Sequence, residues 1–194
     1  MPDTSTFDRV TWPVRTDRLA IRPVTTDDLA GLYRIRALPG VSTWLTHAPT
    51  SYDDYLERND TEARRGQTLV MEQEGVVVGD LYLAVETPWS QREVVREAAA
   101  TLGVIGWCVD PAYAGRGIAT EGAGALLRIC FELLGLRRVV AGAFAENAAS
   151  LRVMEKIGMR QETYGVRDQL HRELGWRDGV GYAVLADEWR AKRD

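Results

Sequence analysis

The chain has 194 residues, 45% of them hydrophobic, enough to bury the core of one domain. A formal net charge of -4 with no Lys/Arg-rich run weighs against a nucleic-acid partner, and the slight acidity weakly favours a cationic one such as an amine. No apolar run approaches the roughly 20 residues that cross a bilayer, so no membrane partner is expected. The first ten residues show no basic region followed by an apolar stretch. The reading is therefore a cytoplasmic protein without a signal peptide. Cys108 and Cys130 sit in apolar segments and form neither a disulfide framework nor a CxxC pair, so no metal is expected.

In chain order, residues 1–15 read as a loose lead-in and 16–194 as one domain. Residues 19–24 predict a first strand, and Thr25 to Asp28 supply N-cap chemistry for a helix carrying Leu29, Leu32, Tyr33 and Ile35. Ser51 with Asp54 resembles a capping box and predicts a second helix to about Arg65. Strands at 68–72 and 76–85 are split by Glu74-Gly75, a hairpin turn. The charged stretch 87–100 reads as a surface loop.

Residues 102–109 predict a fourth strand, stopped by Asp110-Pro111. Ala123, Leu126, Leu127, Cys130, Phe131 and Leu134 recur at helical spacing and predict one continuous helix face, ended by Gly135. A fifth strand follows at 138–144, then a short helix from Asn147 to Ile157, and strands near 159–166 and 179–185. The order β-α-α-β-β-β-α-β-α-β-β counts about seven strands. It predicts the α/β (α+β) class: a mixed, mostly antiparallel sheet with helices on both faces.

The segment most informative about chemistry joins the fourth strand to the long helix: Gly115, Arg116, Gly117, Ile118, Ala119 and Thr120. At such a junction the first N–H groups of the helix lack intrahelical partners and point outward with the positive end of the helix dipole. Glycine lets an anion approach without meeting a Cβ. The expectation is a pyrophosphate-like ligand. A Walker-type loop needs Lys before its Ser/Thr, and Ala119 precedes Thr120. A dinucleotide fingerprint needs a third glycine where Thr120 stands; an oxidoreductase with Glu146 on the ribose stays open as an alternative.

The run Gly115 to Glu121 resembles motif A of the GNAT (GCN5-related) N-acetyltransferases, in which (Q/R)-x-x-G-x-(G/A) wraps the coenzyme A pyrophosphate. Gly117 aligns with the central glycine and Ala119 with the last small residue, while Ala114 stands where the family carries Gln or Arg. Asn147, Ser150, Glu155, Lys156 and Gly158 are similar to a second family segment beside the pantetheine arm. Arg18 to Pro23 and Gly181 to Leu185 resemble the RimJ and RimL subgroup. The resemblance covers roughly residues 16–190.

It implies a GNAT fold splayed between the fourth and fifth strands and acetyl-CoA as co-substrate. The acceptor implied is the primary amine of a protein N-terminus or small molecule, and a homodimer is left open. Backbone groups of Cys108 and Val109 would pair with the pantetheine, Gly115 to Thr120 would cradle the pyrophosphate, and Asn147 would cap its helix or bond the pantetheine. Ser150 is the candidate for protonating the leaving thiolate, or a second cap. The tyrosine acid of many relatives is replaced by Met154. A glutamate base is replaced by Val104, leaving Glu86, Asp80 or an ordered water. Cys108 lacks a His partner for a nucleophile's role. His47 and His171 read as loop bystanders. Trp44, Tyr52, Tyr82, Trp89 and Trp176 are candidates for an acceptor cleft or for core packing. Without the tyrosine and the glutamate, a noncatalytic acyl-CoA-binding domain also remains open.

Overall fold

Residues 69–71 show how the central sheet is covered. Leu69 and Met71 belong to one apolar cluster, and Val70 between them belongs to another. Side chains alternate across a strand, so the sheet carries a core on each face. In a computed structural model that describes residues 4–192, eight strands form this sheet. They are β1 (Val14–Arg15), β2 (Ala20–Pro23), β3 (Thr68–Gln73), β4 (Val76–Glu86), β5 (Leu102–Val109), β6 (Arg138–Phe144), β7 (Arg160–His171) and β8 (Gly175–Leu185). Their spatial order is β1-β2-β3-β4-β5-β6-β8-β7, and only β5 and β6 run parallel. That order is not the parallel doubly wound sheet of a dinucleotide fold.

On one face lie α1 (Leu29–Arg36), α2 (Pro39–Ser42), α3 (Tyr52–Asn59) and α4 (Glu62–Arg65), with Leu29, Leu32 and Tyr55 packed on Val70. Thr25 and Asp28 supply the expected N-cap chemistry, Asp28 Oδ2 accepting from the Thr25 N–H at 2.7 Å. The other face is covered by α6 (Ile118–Arg128), whose last turn widens into a π-helical stretch at Ile129–Leu133, and by α7 (Ala148–Lys156). A one-turn α5 (Val95–Ala98) lies in the stretch 87–100, and α8 (Ala186–Ala191) ends the described chain. The face expected for the long helix, Ala123 to Leu134, is buried at all six positions. Gly122 lets α6 approach closely, since a Cβ there would stand 2.4 Å from Met71 Sδ. Among the described residues, no helix is long and apolar enough to cross a membrane.

Several expectations are corrected. The lead-in is packed: Phe7, Val10 and Val14 are buried, and Phe7 meets Trp12 edge to face at 5.6 Å. The eighth strand is β1, whose two residues are too few to display a period. The helix from 51 breaks at Asp60, and each half has its own cap: Ser51 Oγ accepts from Asp54 N–H at 3.1 Å and Thr61 Oγ1 from Arg64 N–H at 3.2 Å. The last two strands extend through a region read as loop, to His171 and from Gly175.

Candidate active site

The site begins where the sheet opens. β4 pairs with β5 along the whole length of β5, from Glu86 opposite Leu102 to Gly79 opposite Val109. β5 and β6 pair only at Leu102, Gly103 and Val104 against Arg138, Val139 and Val140. Beyond Val104 the parallel neighbours separate, which leaves the inner edges of Ile105–Val109 and Ala141–Phe144 unpaired with each other. This is the splay expected between strands 102–109 and 138–144.

Alternation fixes which main-chain groups face the gap. Asp110 N–H donates to Val78 C=O of β4 at 2.9 Å, and a Cβ on Gly79 would lie 2.2 Å from the Cys108 carbonyl oxygen. Residues 108 and 110 therefore turn their main-chain groups toward β4, and Trp107 and Val109 turn theirs toward the gap. The gap-facing orientation of the Trp107 main chain is invisible in the motif and follows from register alone.

The chain leaves β5 through Asp110, whose carboxylate accepts from Ala112 N–H at 2.9 Å, and enters α6 at Gly117. Gly117 caps the helix in the left-handed region, φ 81°, which an L side chain rarely adopts. Gly115, Arg116 and Gly117 are exposed, Ile118 turns into the core, and Ala119 and Thr120 are half-buried. The turn is held from the other end of the chain. Glu121 accepts from Thr16 Oγ1 at 2.6 Å, from the Arg18 N–H at 2.9 Å and from Arg18 Nε at 2.7 Å, and Arg18 also donates to the Arg116 carbonyl at 2.8 Å. Burial opposes the Glu121 charge, but the hydrogen bonds from Thr16 and Arg18 outweigh it and hold the carboxyl below its ordinary range. The Arg18 guanidinium passes 3.4 Å from where a Gly117 Cβ would sit. The glycine turn thus fits an approaching polyphosphate: a cleared backbone, helix N–H groups and a cation beside them.

At the end of β6, Asn147 caps α7 by accepting from Ser150 N–H at 3.2 Å. Because β5 and β6 are parallel, Cys108, Val109, the turn 115–120, Asn147 and Ser150 all gather at one end of the sheet, around the gap. Met154 is 1% exposed within the core cluster. Glu146 is ion-paired with Arg177.

Behind the gap, Asp80 lies directly opposite Cys108 in the β4–β5 register. It takes two hydrogen bonds from Arg36 of α1, at 2.6 and 2.5 Å. Burial works against the Arg36 cation, but the attraction of Asp80 and their hydrogen bonds outweigh it and raise its pKa. Burial, reinforced by Asp80, pushes the Cys108 thiol up to about 12, so it is no thiolate nucleophile. Asp80 is committed to Arg36, and Glu86 sits at the closed end of β5, six residues along the strand and so roughly 20 Å from the open end. Neither acid is placed to serve as the base.

His171 is no loop residue. It ends β7, and its Nδ1 accepts from the Glu173 and Leu174 N–H groups at 3.1 Å. Its Nε2 stands 2.8 Å from the Thr43 carbonyl, which the network assigns as a donated bond. The ring is fully used in tying the hairpin to α2. Trp44 packs on His171 and Phe144, Tyr52 packs on Tyr33, and Trp89 and Trp176 point to solvent. Of the five aromatic candidates, Tyr82 alone meets a group of the pocket beyond α1. The Arg64 guanidinium lies 4.9 Å over its ring. That pocket, about 190 Å³, is lined by Arg36, His47, Tyr55, Arg58, Asn59 and Arg64 among others.

A family model described as an acetyltransferase (GNAT) domain matches residues 18–160. The N-acetyltransferase YnaD of Bacillus subtilis is 40% identical over 85 residues, 44% of this chain and 49% of the relative. The chain matches about half the length of the first curated relatives. A GNAT-family acetyltransferase structure from Bacillus anthracis is 26% identical, covers 90% of this chain and 98% of its own, and superposes with a TM-score of 0.75. Mycobacterium smegmatis RimJ, solved in complex with CoA-disulfide, is 25% identical with a TM-score of 0.68 and covers 90% of this chain and 89% of its own.

Proposed function

The chain belongs to the GNAT acetyltransferase family, and on that premise we propose that it transfers the acetyl group of acetyl-CoA directly to a primary amine, on a protein N-terminus or a small molecule. The observation that carries this reading is the parallel pairing that stops at Val104 and Val140, beside a helix N-terminus opened by a glycine at φ 81°. A gap in a sheet offers unpaired main-chain groups to an extended ligand, as an added strand would use them. Val109 and Trp107 fill that role for the pantetheine arm, while residues 115–120 hold the pyrophosphate. The RimJ relative, solved with a CoA disulfide, supports coenzyme A as the ligand class.

In direct transfer the ammonium first gives up one proton, and the neutral amine nitrogen bonds to the thioester carbonyl carbon to form a tetrahedral intermediate. The nitrogen gives up a second proton as the C–S bond breaks, and the departing thiolate takes up a proton. The Trp107 N–H, facing the gap, stabilises the oxyanion. Ser150, in the first turn of α7 with its N–H tied to Asn147, assists the thiolate near a helix N-terminus where negative charge is favoured. With Asp80 and Glu86 both displaced from the gap, water removes the proton from the amine.

Thiol release measured at varied acetyl-CoA and amine tests the reading. Intersecting initial-rate lines are expected, with kcat lowered roughly 10- to 100-fold in Ser150→Ala at unchanged CoA affinity. Parallel lines with acetyl trapped on Cys108 would overturn direct transfer.

A further inference from the structure

The pocket over α1, α3 and α4 lies on the far side of the ion pair that backs the gap, and its charge is one-sided. Arg36, Arg58, Arg64 and His47 line it, and no carboxylate does. Two carboxylates touch these side chains from outside: Asp80 bonds Arg36, and Asp54 lies 3.3 Å from His47 and 3.9 Å from Arg58. Arg64 has no carboxylate partner among the described residues. Its guanidinium instead rests on the Tyr82 ring. The contact places the charge over the ring face, and among the described residues no hydrogen bond is made by the guanidinium, so its N–H groups can donate two parallel bonds to a carboxylate or phosphate.

The pocket is also coupled to the reaction centre by position. Its Arg36 wall is bonded to Asp80, and Asp80 is the strand neighbour of Cys108, which lies between the two residues whose main chains face the gap. Adjacent strands are about 4.8 Å apart. A volume of about 190 Å³ is roughly six waters' worth, room for a small polar head and not for a drug-sized ligand. A polyamine would bring like charge to three arginines and be disfavoured there.

We propose that this pocket receives an anionic group, a carboxylate or phosphate, carried on the amine acceptor, with Arg64 and Arg58 as its ligands; the assignment rests on the transferase reading above. The acceptor class is then an amine with an acid on the same small molecule, as in a free amino acid or a phosphorylated amine.

Calorimetric titration of the full chain, with and without acetyl-CoA, tests it. The probes are free L-amino acids against the matching L-amino acid amides, phosphoethanolamine against ethanolamine, and spermidine. The anionic member of at least one pair should bind roughly tenfold or more tightly than its neutral partner, and which pair does so separates carboxylate from phosphate. Arg64→Gln should erase that ratio and Arg64→Lys should restore part of it, at unchanged melting temperature and acetyl-CoA affinity. Equal or tighter binding of the amides or of spermidine would overturn the proposal. So would an absence of anion binding, or a ratio that survives Arg64→Gln. Anion binding kept by Arg64 without acetyl transfer to any amine would instead sink the transferase reading and leave the pocket assignment standing.

Discussion

The α6 N-terminus and the pocket over α3 and α4 occupy opposite faces of one sheet and are made of different material. The first is main chain: a left-handed glycine, the opening N–H groups of a helix, and strand edges that stop pairing at Val104. The second is side chain: arginines from three helices, set by one buried carboxylate and one tyrosine ring. A backbone site tolerates change in side chains, so Ala114, at the position where the motif that this turn resembles has Gln or Arg, leaves the glycine turn and helix N–H groups in place. A side-chain site has no such tolerance, and each arginine there is a separate determinant of what enters.

Breaking the ion pair that separates the two faces should give the largest effect. Asp80→Asn strands the Arg36 cation against a neutral amide, and unpairing a buried charge costs about 3 to 5 kcal/mol. At about 2 to 4 °C per kcal/mol for a chain of this size, melting should fall by roughly 6 °C or more. A normal melting temperature with collapsed kcat would instead make Asp80 the base and erase the distinction drawn between the two faces.

On the backbone side, Gly117→Val places a side chain in the cradle at a positive φ. CoA affinity should drop at least about tenfold, ~1.4 kcal/mol. Unchanged affinity in a folded variant would remove the glycine turn from the site.

A smaller effect sharpens how the cradle is held. Glu121 is held below its ordinary pKa by Thr16 and Arg18 against the opposing effect of burial, so its contribution is complete above the unfolded carboxylate value. It is lost as pH falls through the lower folded value. With side chains 42% and 16% exposed in the Arg18–Glu121 pair, screening limits its worth to about 1 kcal/mol. Glu121→Gln should lower melting by roughly 2 to 4 °C at pH 7, and the difference should close as pH falls through the acid range. A difference independent of pH would show that the carboxylate charge plays no part.

The contrast between the faces also explains what could be read from the chain. The helix face from Ala123 to Leu134, the Glu74-Gly75 turn with both residues at positive φ, and the gap-flanking strands are local patterns, and they appear in the structure where the sequence puts them. So does the glycine turn, because a strand, two glycines and a helix lie within one stretch of chain. Arg36 and Asp80 are 44 positions apart, and Arg18 and Glu121 are 103 apart; no local pattern announces either pair. His171 read as a bystander because its three partners, Thr43, Glu173 and Leu174, are main-chain groups without a sequence signature. The break at Asp60 and the two-residue β1 were hidden for a simpler reason: each is shorter than the period that would reveal it.

Amide hydrogen exchange with and without saturating CoA tests the central claim most directly, because it reads the main-chain groups themselves. Protection should rise at residues 118–120 and at Trp107 and Val109, and stay unchanged at Gly103, where β5 is already paired with β6. Protection that appears elsewhere, with the α6 N-terminus and the open half of β5 unaffected, would contradict a cofactor seated in the gap.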